Sequence, residues 1–213
     1  MKIAILTFEG FNEIDSIVAL TILNRVNATD WRVSIACPND RVTSMNGLVV
    51  DSQISLSHAC NADAVIVGSG VNTQQIVRTP ELMSQLELDP SRQLIGAQCS
   101  GTLILAKLGL LRGVPACTDL VTKPWVQEAG VEVLDRPFFA KDNVATAGGC
   151  LASQYLSAWI IARLEGIQAA EIALHYVAPV GEKGEYVSRA LANIVRFLPA
   201  PVVEVNALMH RSH

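Results

Sequence analysis

Cys99 lies where an apolar run, Leu94-Ile95-Gly96-Ala97-Gln98, passes without a break into Ser100-Gly101-Thr102 and a helix-like stretch. A sharp strand-to-helix turn lifts the side chain at its apex clear of the sheet and strains the backbone, the arrangement called a nucleophile elbow. Small residues must flank such a turn because it brings backbone segments close together, and Gly96, Ala97, Ser100 and Gly101 meet that need. The free N–H groups at the start of the following helix also favour a thiolate. The pattern marks Cys99 as a nucleophile. The competing reading is a small buried hydrophobe, a common role for an unpaired cysteine.

Asp15 is the second residue with chemical potential. It interrupts an apolar helix face formed by Ile14, Ile17, Val18 and Leu20, and a carboxylate on such a face is costly without a partner. An acid that merely complements the helix dipole would look the same. Two glycine turns complete the set. Gly68-Ser69-Gly70 offers backbone N–H groups for an anion or oxyanion. Gly148-Gly149 precedes Cys150 at a helix start, where the dipole argument makes that sulfur a second candidate thiol.

These residues need elements to hold them, and the hydrophobic pattern supplies a series. Residues 2–7 read as a strand buried on both faces, and Gly10 and Asn12 mark a turn before helical spacing over 14–26. Residues 32–36 form a second strand, and 42–45 and 49–54 flank Asn46-Gly47, which predicts a type I′ hairpin. Residues 63–67 and 93–98 are further strands, with a helix over 80–88 opened by Pro80 and stopped by Pro90. A helix over 100–108, a smaller βαβ-like stretch over 114–134, a strand over 143–146 and an amphipathic helix over 151–164 follow. The last forty residues read as helical, with a loop over 181–184. Alternating strand and helix with short connections predicts an α/β sandwich with a mostly parallel sheet.

Composition bounds the function. Half of the 213 residues are apolar and 17% are charged, which excludes a disordered chain. Sixteen basic against twenty acidic residues leave a net charge of −4 with no basic run, which speaks against nucleic acid or an anionic membrane as partner. The five cysteines, Cys37, Cys60, Cys99, Cys117 and Cys150, contain no C-x-x-C, so they point to a reducing compartment rather than a disulfide framework or zinc site. Residues 1–7 are too short for a secretory h-region, and no stretch reaches the ~18 apolar residues of a membrane span. The expectation is a cytoplasmic protein with one domain over 1–213 that uses neither metal nor cofactor.

Taken in order, the motifs resemble the ThiJ/PfpI superfamily. They are Asp15 after Gly10-Phe11, the Gly-Ser-Gly turn after Ala64-Val65-Ile66-Val67, the Gln98-Cys99-Ser100-Gly101 elbow, Leu108-Gly109-Leu110-Leu111-Arg112-Gly113, and Thr146-Ala147-Gly148-Gly149. The set spans roughly residues 1–166, and within the superfamily it looks most like the isocyanide hydratase branch and the amidase-type domain of some transcription activators. The resemblance implies a flavodoxin-like three-layer sandwich, a homodimer and a small-molecule substrate. It also implies a reactive Cys99 hydrogen-bonded to Asp15, with Gly70 and Ser100 supplying oxyanion-hole N–H groups.

The chain departs from the superfamily pattern at four places, two of them Val18-Ala19 where Gly-Pro usually follows the acidic residue and Ser69-Gly70 where the second loop usually has Gly-Gly. Ser100 stands where protease-like and amidotransferase members carry a His, and Thr118-Asp119 where many relatives carry Thr-His. His58, His175, His210 and His213 occupy no motif position, so a Cys-His dyad and a peptidase are disfavoured. Thr118, Asp119, Gly148, Gly149 and Cys150 are expected around the pocket. Asp119 there would oppose thiolate formation, unless it is an exposed loop residue.

The chemistry that fits is hydration of an isocyanide. Cys99 adds to the terminal carbon, Asp15 supplies the proton, and water releases an N-substituted formamide. A cysteine redox sensor or a non-catalytic ligand-binding regulator is the alternative.

Overall fold

Continuous apolar runs need cover on both faces, and the computed structural model, which describes residues 1–199, provides it. In chain order the strands are β1 (Lys2–Leu6), β2 (Arg32–Ala36), β3 (Arg41–Thr43), β4 (Val49–Asp51), β5 (Ala64–Val67), β6 (Leu94–Gln98), β7 (Phe138–Lys141) and β8 (Val144–Ala147). The helices are α1 (Glu13–Leu23), α2 (Leu56–Ala59), α3 (Thr73–Ile76), α4 (Pro80–Met83), α5 (Gly101–Lys107), α6 (Lys123–Glu128), α7 (Ser153–Glu165), α8 (Ile167–Val177) and α9 (Lys183–Ile194). Six strands form one sheet in the order β2-β1-β5-β6-β8-β7, parallel except for β7, and β3 pairs with β4 as a separate ribbon.

Side chains alternate between two cores. Ile3, Ile5, Ala64, Ile66 and Leu94 pack with α1, α7, α8 and α9, whereas Ala4, Leu6, Val65, Val67, Ile95 and Ala97 pack with α2 to α6. The result is a three-layer α/β sandwich with a mostly parallel central sheet. Because β1, β5, β6 and β8 run the same way, the loops after them share one edge, where ligands of open α/β sheets bind.

Several expectations are corrected in detail. The Asn46-Gly47 turn is not type I′, since only Gly47 has a positive φ (+91°). Ser44 Oγ accepts the N–H groups of Asn46 and Leu48 at 3.3 and 2.9 Å, which closes a longer loop. The helix read over 80–88 ends at Met83. The helix read over 151–164 begins as a 3-10 turn, Cys150–Ala152, before α7. The stretch over 114–134 holds one helix, α6, and a single bridge between Ala116 and Val133. Gly184 lies inside α9 rather than in a loop.

Strand β7 escaped the sequence reading because it is a four-residue edge strand. Asp142, in the left-handed region at φ +55°, turns the chain straight back into β8. Residues 200–213, and with them His210, His213, the end of the helical tail and part of the one-domain reading, lie outside the described residues.

Trp159 of α7 has no solvent exposure, packs 6.3 Å from Phe138 ring to ring, and leaves its Nε1 without a partner among the described residues. Trp159→Ala should cost about 3–5 kcal/mol in urea unfolding. Trp159→Phe should cost clearly less, because it also removes an unsatisfied donor.

Candidate active site

The elbow forms as the residue types require. Sheet pairing continues one residue past β6, with the Cys99 N–H donating to the Ala147 carbonyl at 2.8 Å. Cys99 then turns at φ +43°, in the left-handed region that a side chain rarely occupies. A methyl group on Gly101 would lie 2.5 Å from the Val67 carbonyl oxygen, so only glycine lets α5 start this close to β5. Thr118 clamps the turn from below, its hydroxyl donating to the Cys99 carbonyl at 2.7 Å. Gly148 in turn lets Thr118 approach, since a Cβ there would lie 2.4 Å from the Thr118 carbonyl oxygen.

Asp15 sits in the first turn of α1, which is capped by the Asn12 side chain, and has no solvent exposure. One carboxyl oxygen accepts the Ser69 hydroxyl, while Oδ1 has no partner that meets hydrogen-bond geometry among the described residues. A carboxyl oxygen of Asp15 and the sulfurs of Cys99 and Cys150 lie within 4.8 Å of one another. Asn12 reaches across from the other side, its amide donating to Cys150 Sγ at 3.2 Å. Among the described residues this is the one thiol-and-carboxylate grouping compact enough to ligate a soft metal ion, a possibility that the absence of C-x-x-C had hidden.

The electrostatics overturn one expectation. Burial pushes the Cys99 thiol strongly up, and the charges of Asp15, Cys150 and Asp119 add to it, whereas the Gly149 backbone N–H works the other way. Burial also raises Asp15, opposed by the Ser69 hydroxyl and the two thiols, and raises Cys150, where Asp15 adds to the effect. The dipole of a short helix, worth about 0.3–1 kcal/mol, is outweighed by desolvation, which moves buried groups by up to about 3–5 pK units. Cys99 therefore rests as a thiol, and the cluster resists a second negative charge.

Other candidate residues are placed as follows. The Gly70 N–H already donates to Ser100 Oγ at 3.0 Å, and that hydroxyl also meets Thr73 Oγ1 at 2.7 Å, so Gly70 is not a free oxyanion donor. The Ser100 N–H has no such bond among the described residues. Asp119 Oδ1 accepts the N–H groups of Val121 and Thr122, both at 2.9 Å, and so acts as a turn-forming residue before α6 while adding only a weak field. Thr118, Asp119, Gly148 and Gly149 line a cleft of about 520 Å³ beside the elbow. Cys117 is in the core, its thiol pushed up to about 12 by burial. Sequence reasoning read Asn12 only as a turn marker and Ser69 only for its backbone, and gave no role to either side chain or to Thr73. Asn12 at a helix cap and Ser69 between two glycines were the available signals, and nothing local marked Thr73.

The family model described as DJ-1/PfpI matches residues 1–163. No curated protein matches the sequence. Among solved structures, the chain is similar to a ThiJ/PfpI family protein from Pseudomonas syringae, at 20% identity over 91% of this chain and 90% of that one, with a TM-score of 0.73. It is similar to a DJ-1 superfamily protein from Salmonella typhimurium at 24% identity, 84% and 98% coverage and a TM-score of 0.72. Oxidised DJ-1 of Toxoplasma gondii gives 18%, 83% and 97%, and 0.71. At these identities the structures speak to the fold.

The raised Asp15 has a consequence for stability. The folded chain holds its proton more tightly than the unfolded chain, so stability falls as pH rises from about 4 towards the folded value. Asp15→Asn should therefore melt above wild type at about pH 7, with the gap closing towards about pH 4. Melting below wild type at neutral pH would show that the carboxylate is compensated.

Proposed function

The chain belongs to the DJ-1/PfpI family, whose model covers residues 1–163, and on that premise we propose that it is a cysteine-dependent hydratase of the isocyanide hydratase kind. Cys99 is the nucleophile, Asp15 the proton carrier and a small electrophilic molecule the substrate. The observation that carries this reading is a fully buried carboxyl beside the elbow thiol, with no imidazole near either among the described residues. His58 is exposed and bonded to Ser55 Oγ at 2.7 Å, and His175 is exposed on α8.

A resting thiol suits this chemistry. As Sγ adds to the terminal carbon of an isonitrile, the S–H proton passes to Asp15 Oδ1 and on to that carbon. S–C and C–H bonds form and the S–H bond breaks, giving a thioimidate. Water then adds to the same carbon and the S–C bond breaks, releasing an N-substituted formamide and restoring the thiol. No separate base is needed, because one proton moves between two groups that both hold it tightly. The Ser100 N–H, unbonded among the described residues, rather than that of Gly70, is the donor for developing charge.

Exposed apolar side chains stand next to site residues: Ile14 by Asp15, Val71 by Gly70, Leu120 by Asp119 and Leu151 by Cys150. They support an apolar substituent on the substrate. A homodimer and a cytoplasmic location belong to the same reading, the latter supported by five free cysteines. No helix of the described residues is long and apolar enough to cross a membrane. A redox sensor or ligand-binding regulator is the second reading, favoured by the second thiol, Cys150, beside Cys99.

A turnover panel of isonitriles and α-oxoaldehydes tests the proposal. Cys99→Ala should abolish isonitrile hydration, and Asp15→Asn should lower kcat by about 10²–10⁴-fold. Unchanged turnover in Cys99→Ala removes Cys99 from the mechanism.

A further inference from the structure

Hydration as written leaves Cys150 without a task, yet its position is specific. Its sulfur shares a 4.8 Å cluster with Cys99 Sγ and a carboxyl oxygen of Asp15, and Asn12 donates to it. It is half-buried and lies on a single 3-10 turn outside the sheet, directly after Gly149 at φ +90°. The other cysteines are engaged elsewhere: Cys37 with Thr7 Oγ1 at 3.1 Å, Cys60 with the Gln85 carbonyl at 3.4 Å, and Cys117 in the core.

We propose that Cys150 is the resolving thiol of Cys99, closing an intramolecular disulfide with it after a hydroperoxide has oxidised Cys99. The inference rests on Cys99 being a reactive thiol. In the first step Cys99 Sγ attacks the hydroperoxide. The O–O bond breaks, an S–O bond forms, and the thiol proton leaves with the departing oxygen as alcohol or water. Sulfur is oxidised by two electrons to the sulfenic acid and the hydroperoxide is reduced. In the second step Cys150 Sγ attacks the Cys99 sulfur. The S–O bond breaks, the S–S bond forms, and water leaves.

Asp15 serves this second step. Its unpartnered Oδ1 takes the Cys150 proton and returns it to the leaving hydroxyl. Asn12, donating to Cys150 Sγ, stabilises the negative charge that grows there as the proton departs. Two sulfurs held side by side react as one molecule, so closure outruns a second oxidation of Cys99. The disulfide takes the nucleophile out of use until a thiol reductant restores it, which makes the same site a reversible switch.

The test uses the full chain in chelator-containing buffer, treated with stoichiometric hydrogen peroxide, denatured, alkylated and mapped by mass spectrometry. The expected result is loss of two of the five alkylatable thiols. The Cys99 and Cys150 peptides should be linked at a mass two hydrogens lighter, and dithiothreitol should reverse this. In Cys150→Ser, Cys99 should instead be trapped by dimedone and go on to gain two oxygens. Wild type that gains two oxygens on Cys99 while Cys150 stays alkylatable overturns the resolving role and leaves Cys99 a reactive thiol. Wild type whose Cys99 takes up neither oxygen nor a disulfide overturns that reading as well.

Discussion

A carboxyl with no access to water, set against two sulfurs at the carboxyl edge of a parallel sheet, is the constraint to which the rest of the site conforms. Burying Asp15 is tolerable only with polar support. It comes from Ser69 on the loop after β5 and from the first turn of α1, which Asn12 caps. The loop after β1 is pinned to its neighbours, with the Gly10 N–H donating to Thr43 and the Asn12 N–H to Ser69, both at 2.8 Å. The β3–β4 ribbon, through Thr43, and the Gly68-Ser69-Gly70 turn thus anchor the loop that leads into the helix carrying the acid.

That acid governs the proton chemistry. A cysteine at a helix start ordinarily leans towards thiolate, but here desolvation and a neighbouring carboxyl push Cys99 the other way. Asp15 is raised in turn by its own burial. Neither group gives up a proton to solvent readily, and each is the natural recipient of the other's. Such a pair is suited to reactions in which a proton travels with the bond being made, and poorly suited to hydrolysis that needs a strong standing base. Oδ1 of Asp15, without a hydrogen-bond partner among the described residues, belongs to a carboxyl grouped with the sulfurs of both Cys99 and Cys150, so one proton store can serve either thiol.

The elbow depends on close approach as much as on charge. Gly101 against Val67 and Gly148 against Thr118 leave no room for a methyl group, and Thr118 locks the Cys99 carbonyl between them. The strained φ of Cys99 is held by pairing to β8 on one side and that hydroxyl on the other. A positive φ on a non-glycine residue persists only where its surroundings over-determine it.

Local pattern carried a good part of this protein. Apolar runs specified the four central strands, small residues specified the elbow at Cys99, and an acid on an apolar helix face singled out Asp15, because strand burial, turn sterics and helix spacing are written in neighbouring residues. Edge strand β7 escaped because four residues leave little periodicity to read, and the hairpin at Asn46-Gly47 was legible except for its turn type, which the Ser44 side chain sets. Only the tertiary structure decided what the site can do. The Ser69 hydroxyl comes to Asp15 from 54 residues away, Asn12 reaches Cys150 across 138, and Ser100 occupies the Gly70 amide across 30. The sign of the Cys99 shift was decided there too. Desolvation sums over every element packed around a group, and no stretch of sequence contains that sum.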